Sequence, residues 1–205
     1  MKIIAHQLGK RFEREWIFRN FSAEFSSGNT YAILGPNGSG KSTLMQILWG
    51  QMIPNRGSVS YQINEKPIAI SEVFKYVSIA TPYMDLIDEF TLKEMVEFHF
   101  KHKSVRMALN TAQIMEAMNL SSSKDKPIRD FSSGMRQRLK LGLLFNTKSS
   151  MYFLDEPTTN LDLQAKDWYW QQLTKLPPEA LIVIGSNQVE EYPSSAIKID
   201  ILQFK

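Results

Sequence analysis

Eight residues constrain this chain more than any other feature: Gly35-Pro36-Asn37-Gly38-Ser39-Gly40-Lys41-Ser42. Their spacing fits G-x-x-x-x-G-K-[ST]. Glycines in such a loop let the backbone curl until its N–H groups face phosphate oxygens. The loop needs an apolar strand leading in and a helix leading out, whose positive end points at the same anion. Both are legible. Tyr31-Ala32-Ile33-Leu34 is an unbroken apolar run, and Lys41 to Trp49 carries apolar residues at helical spacing. Lys41 would then supply a mobile point charge for the outer phosphates. Ser42 would offer a hydroxyl oxygen to Mg²⁺, a hard cation that prefers oxygen ligands.

The rest of the chain suits that start. Short apolar or β-branched runs recur at Ile3 to Leu8, Ile17 to Phe25, Thr30 to Leu34, Val59 to Ile63, Tyr76 to Ile79, Met151 to Leu154 and Leu181 to Ile184. Those before Gly35, Asp155 and Gly185 are nearly all apolar, as parallel strands covered on both faces should be. Helical patterns run over Thr91 to His102, Val105 to Met118, Ser133 to Phe145 and Leu163 to Leu176. Thr91 and Glu94 stand at capping-box spacing, and Asp162 is placed to cap the last helix. Strands alternating with helices predict an α/β fold with a mainly parallel sheet core. The N-terminal strands alternate and read as antiparallel. The stretch from about residue 83 to 145 reads as a helical lobe inserted into a single domain of 205 residues.

Composition removes several function classes. No cysteine is present, which excludes a disulfide framework, a zinc-thiolate site and a cysteine nucleophile. Charges nearly balance, 24 Lys plus Arg against 21 Asp plus Glu, so no nucleic-acid partner is expected. No apolar run reaches the length that spans a bilayer, and the N-terminus does not read as a signal peptide.

A second chemical signal is Met151-Tyr152-Phe153-Leu154-Asp155-Glu156, an apolar strand ending in two acids. The carboxyl edge of a parallel sheet is where such folds bind ligands. Asp155 would hold Mg²⁺, through water, and Glu156 would polarise an attacking water.

Three segments carry a family resemblance. Phe131-Ser132-Ser133-Gly134-Met135 resembles the L-S-G-G-Q signature of ATP-binding cassette proteins, and keeps Ser132 and Gly134 of it. Pro157-Thr158-Thr159-Asn160-Leu161-Asp162 looks like that family's D-loop, centred on Asn160, Leu161 and Asp162. The loop itself, continued through Thr43 and Leu44, has the family's wording. The resemblance implies a P-loop NTPase fold of the cassette type, with ATP and Mg²⁺ as cofactors. It implies a head-to-tail dimer in which Ser132, Ser133 and Gly134 close over the nucleotide of a second subunit, a homodimer in preference to a heterodimer. It also implies that an N-terminal aromatic stacks on adenine. Phe12 matches that position and Trp16 is its rival.

Two family positions differ. Ala80 or Thr81 stands where a Mg²⁺-contacting glutamine is usual, and Asn187 stands where a switch histidine is usual. The resemblance therefore predicts intact ATP binding with slow hydrolysis, carried by Lys41, Glu156 and Asn187. In the family's transporters a polytopic membrane subunit docks on the helical lobe. That places this chain in the cytoplasm at the inner face of a membrane. Five of the ten methionines, between Met84 and Met118, would line the docking groove with Tyr83 and Phe90, or else fill a small helical core. A cassette protein acting on ribosomes or DNA, and a weakly active regulatory subunit, are the alternatives.

Overall fold

The computed structural model describes all 205 residues, in two compact units. The first comprises Met1–Val77, Ser150–Glu156 and Pro178–Lys205. The second comprises Ser78–Ser149 and Pro157–Pro177.

In the first unit, β1 (Lys2–Phe12), β2 (Glu15–Ser26), β4 (Arg56–Ile63) and β5 (Lys66–Ile68) form an antiparallel sheet in the order β2-β1-β4-β5. Phe21 and Phe25 share the inner face by strand alternation, and the register shift between Phe18 and Phe21, where Asn20 has φ 57°, turns Phe18 inward too, so all three are fully buried. Their rings contact one another, and Phe25 reaches Tyr31 at 4.8 Å between ring centroids. The register of β1 on β2 slips between Ala5 and Leu8, where Gln7 has φ 47°. Such a bulge shifts the alternation by one residue, which keeps both Ala5 and Leu8 in the core.

The second sheet is built from β3 (Thr30–Leu34), β6 (Val77–Ala80), β7 (Met151–Asp155), β8 (Leu181–Gly185) and β9 (Ile197–Asp200). Its order is β6-β7-β8-β3-β9. β3, β7, β8 and β9 run parallel. Every residue of β7 and β8 is buried, as the apolar runs foretold. Helix α1 (Lys41–Leu48) follows β3 and buries Leu44, Met45, Ile47 and Leu48. β5 and β9 are short, half-exposed strands without an apolar run, and their sequences do not announce them.

The second unit holds α2 (Leu92–His102), α3 (Thr111–Ala117), α4 (Ser133–Asn146) and α5 (Leu163–Leu173). The Thr91 capping box is formed: Glu94 N–H donates to Thr91 Oγ1 at 3.2 Å and Thr91 N–H to Glu94 Oε2 at 2.8 Å. The helix expected from Val105 to Met118 is shorter. Residues 105–110 form a bridge, a turn and a loop instead, because Val105 bridges Thr147 and Arg106 N–H donates to Asn146 O at 2.7 Å. Asn110 then caps α3, with Gln113 closing a second capping box. The methionines are also mostly core. Met95, Met115 and Met118 are buried with Leu92, Val96, Ile128 and Leu139. A Cβ on Gly142 would lie 2.3 Å from Met118 Cγ, so the glycine leaves room for that side chain. Of the two readings of the Met84 to Met118 methionines, core filling describes three of the five, which pack inward as unbranched gap-fillers do. No helix is long and apolar enough to cross a membrane.

Candidate functional site

The carboxyl ends of β3, β7 and β8 lie on one edge of the parallel sheet and bring three loops together in the first unit. From β3 comes the glycine-rich loop. Gly40 is the N-cap of α1 at φ 106°, and a Cβ there would sit 2.4 Å from Ile17 Cγ2, so both backbone and space demand glycine. Lys41 is only 4% exposed. Its Nζ donates to Gly35 O at 2.8 Å and Pro36 O at 3.3 Å, and lies 3.7 Å from Glu156 Oε1. The ammonium therefore rests on the loop's own carbonyls. Ser39 Oγ, buried in the same loop, has no hydrogen-bond partner.

From β7 come the two acids. Asp155 is 1% exposed, and burial pushes its carboxyl up to about 6. The Ser42 hydroxyl bonded to it and the Lys41 charge oppose that rise, while Glu156 and Glu191 add to it. Asp155 Oδ1 is buried without a partner. A Cβ on Gly185 would approach it to 2.9 Å, so the glycine keeps the space beside that oxygen clear. An orphaned carboxylate oxygen next to a hydroxyl fits a hard divalent cation. Mg²⁺ would need few protein oxygens, because it keeps waters and takes further oxygens from substrate phosphates. Glu156 occupies the left-handed region at φ 44°, with its N–H donating to Gly185 O at 2.8 Å. A non-glycine residue held there costs on the order of 1 kcal/mol, a strain found at functional sites.

The burial of Asp155 has a measurable consequence. Its folded-state pKa lies above the unfolded value, so below about pH 4 the carboxyl is protonated in both states and costs nothing. The cost grows between about pH 4 and 6 and is constant above. A displacement from 3.8 to about 6 corresponds to about 3 kcal/mol. Asp155→Asn is therefore expected to raise the melting temperature of the nucleotide- and metal-free protein by roughly 5–10 °C at pH 7.5. The gain should shrink as the pH is lowered toward 4. Calorimetric scans across that range measure it, and a variant no more stable than wild type at pH 7.5 would contradict the account.

From β8 comes the segment Ser186-Asn187-Gln188. Ser186 is fully buried, and its N–H donates to Ile33 O at 3.0 Å. Asn187 is exposed, and its Nδ2 stands 3.4 Å from Asn37 Oδ1 in the glycine-rich loop. The sequence-predicted Asn187 is thus brought to the phosphate loop.

The two candidate stacking rings differ. Trp16 is half-buried over Gly9, with the guanidinium groups of Arg11, Arg19 and Arg56 at 5.6, 5.9 and 5.2 Å from its ring. Phe12 is 47% exposed, with Lys10 Nζ at 5.3 Å from its ring. Two of these arginines belong to the same hairpin as Trp16 and Arg56 comes from β4, while Phe12 is the more exposed ring.

In the second unit, Ser132 caps α4, its Oγ accepting from Met135 N–H at 3.2 Å, and Ser133 begins the helix. A Cβ on Gly134 would lie 2.9 Å from Asn160 O, so the glycine admits the close approach of that backbone. Gln137 Nε2 donates to Pro157 O at 2.8 Å. Asp162 Oδ1 caps α5 by accepting from Ala165 N–H at 2.7 Å, and Leu161 is buried before it. Ala80 ends β6 fully buried, and Thr81 is nearly so. Lys140 Nζ donates to Thr81 O at 3.3 Å and Pro82 O at 2.7 Å. Sequence reasoning missed Glu191. It sits among polar residues that read as surface, yet it is completely buried.

The family model described as ABC transporter matches residues 18–159. The chain is 25% identical over 196 residues to ABC transporter A family member 7 of Dictyostelium discoideum, covering 93% of this chain and 23% of that protein. It is 28% identical over 155 residues to the ABC transporter ATP-binding protein YcbN of Bacillus subtilis, covering 76% of this chain and 50% of that protein. The chain thus spans between about a quarter and a half of the length of these relatives. Its fold matches the dimeric structure of a bacterial ABC transporter cassette with a TM-score of 0.79 at 21% identity, over 97% of this chain and 94% of that one.

Proposed function

Because the chain belongs to the ABC transporter family, we propose that it binds Mg-ATP, hydrolyses it, and powers a separate membrane subunit by closing on a second cassette. The observation that carries this reading is the meeting of Lys41, Asp155 and Glu156 at the sheet edge, with Lys41 Nζ 3.7 Å from Glu156 Oε1.

The steps follow from the residues. Loop N–H groups between Gly35 and Ser42 hold the phosphates, and Phe12 stacks on the base. Lys41 exchanges the carbonyls of Gly35 and Pro36 for the outer phosphate oxygens. Asp155 and Ser42 would hold Mg²⁺, which when bound would supply charge neutralisation on those phosphates. Glu156, relieved of its ammonium neighbour, accepts a proton from the attacking water. Asn187 donates its amide N–H toward the γ-phosphate, with a shorter reach than an imidazole, which makes turnover slow. Catalysis of this kind is positioning plus charge stabilisation.

The second cassette contributes Ser132, Ser133 and Gly134 to the nucleotide. This chain carries both the phosphate loop and that signature segment, so a second copy of itself completes two sites. The protein then works in the cytoplasm, at the inner face of the membrane that holds its partner.

That partner docks in a cavity of about 600 Å³ in the second unit, lined by Met84, Asp85, Ile87, Glu89, Arg136 and Lys140 among others. Arg136 is occupied by Asp88 at 2.7 Å and Lys140 by backbone carbonyls. Asp85, within electrostatic reach of Lys140, and Glu89 give the cavity acidic groups that suit a basic segment. The test is affinity purification of the tagged chain from detergent-solubilised membranes. A polytopic membrane protein should co-purify, and the double substitution Asp85→Lys with Glu89→Lys should release it. Recovery of ribosomes or nucleic acid in its place would move the protein to another branch of its family.

A further inference from the structure

We propose that Glu191 is a positioning residue of the nucleotide site, fixing through Ser186 the loop that presents Asn187. The inference rests on the reading of Asn187 as the γ-phosphate contact.

Glu191 is 0% exposed, although residues 187–190 before it are all exposed. A carboxylate is removed from water only where hydrogen bonds compensate it. Here the Ser186 hydroxyl donates to Glu191 Oε2. Ser186 Oγ also accepts the Gln188 N–H at 2.8 Å, and Gln188 O, at 3.2 Å, is the more distant rival for its one proton, so the hydroxyl joins the acid to the backbone of Gln188. The Ser186 N–H is already tied to Ile33 O at 3.0 Å, two residues ahead of Gly35. Asn187 is therefore clamped on both sides. Its predecessor is pinned to the strand that feeds the phosphate loop, and its successor is pinned to the same serine. Asn187 contributes only a 3.4 Å contact to Asn37. A short amide side chain has little reach to correct an error in its own backbone, so the clamp decides where Nδ2 stands. Glu191 orients the hydroxyl on which the clamp depends.

The experiment is a double-mutant cycle on the full chain, read by Mg-ATP turnover, ATP affinity, melting temperature and hydrogen exchange of the 186–191 segment. Ser186→Ala leaves the Glu191 charge in place and removes the hydrogen bond. Glu191→Ala removes the acceptor, and Glu191→Gln retains an acceptor oxygen. Ser186→Ala and Glu191→Ala are expected to lower kcat about tenfold, the size of one weakened positioning contact. KM for ATP should move less than about twofold. Glu191→Gln should recover most of the rate. The Gln188 amide should exchange faster in Ser186→Ala. In an Asn187→Ala background neither substitution should slow turnover further, because residues acting through one group are not additive.

Additive losses in that background would overturn the proposal, as would a loss confined to ATP affinity or stability. If Glu191→Ala fails to fold, Ser186→Ala decides the question alone. Turnover of Asn187→Ala at the wild-type rate would sink the reading of Asn187 and this inference with it. A slow Asn187→Ala with additive Glu191 losses would sink this inference alone.

Discussion

Glu156→Gln is expected to bind ATP as wild type does and to turn it over about 10²–10⁴-fold more slowly, the usual worth of a positioned general base. The amide is isosteric but cannot take the water's proton. The backbone strain at φ 44° is the same for either side chain, so the fold should not change. The amide also weakens the 3.7 Å contact with Lys41, which makes the ammonium easier to transfer to phosphate. ATP affinity should therefore be equal or slightly higher. A stalled variant should accumulate as an ATP-bound dimer, visible as a shift in sizing chromatography with Mg-ATP. Turnover close to wild type would remove Glu156 from the catalytic step.

Lys41→Ala is expected to weaken ATP binding by about ten- to a hundredfold, since a charge-assisted hydrogen bond contributes roughly 1.5–3 kcal/mol. A second effect follows from the resting position of this side chain. It satisfies two carbonyls of the glycine-rich loop while almost wholly shielded from solvent. Its loss leaves Gly35 O and Pro36 O without that donor, so the nucleotide-free variant should also melt lower than wild type. Lys41→Arg should not rescue binding, because a planar guanidinium is bulkier than the buried space an ammonium fills. Nucleotide titration and thermal scans of the three proteins measure this. Equal affinity in Lys41→Ala would sink the assignment of Lys41 to the phosphates.

Much of this protein was legible in its sequence, for local reasons. The glycine-rich loop is set by backbone permissiveness and a fixed spacing, so Gly35 to Ser42 declared both a turn and its ligand chemistry. Unbroken apolar runs located β3, β7 and β8, because a strand covered on both faces has no polar positions to blur it. The acids at the end of β7 followed from that strand's placement. Side-chain caps at Thr91 and Asp162 are local hydrogen bonds, and both formed where the residue types put them.

What only the tertiary structure decided depends on partners distant in the chain. Residues 105–110 have a helical pattern but were taken by bonds to Asn146 and Thr147, some forty residues later. β5 and β9 exist because neighbouring strands offer unpaired edges, which their own residues do not advertise. The different surroundings of Phe12 and Trp16 also come from tertiary contacts, since one of the three arginines around Trp16 belongs to β4. The methionines could line a groove or fill a core, and only the packing of Gly142 and its neighbours put most of them inside. Glu191 is the sharpest case. Its sequence surroundings are those of a solvated turn, and its burial comes from a fold that closes over it once Ser186 is pinned to β3. A sequence fixes chemistry and local geometry through neighbouring residues; whether a polar side chain is surface or machinery is set by what long-range contacts bring against it.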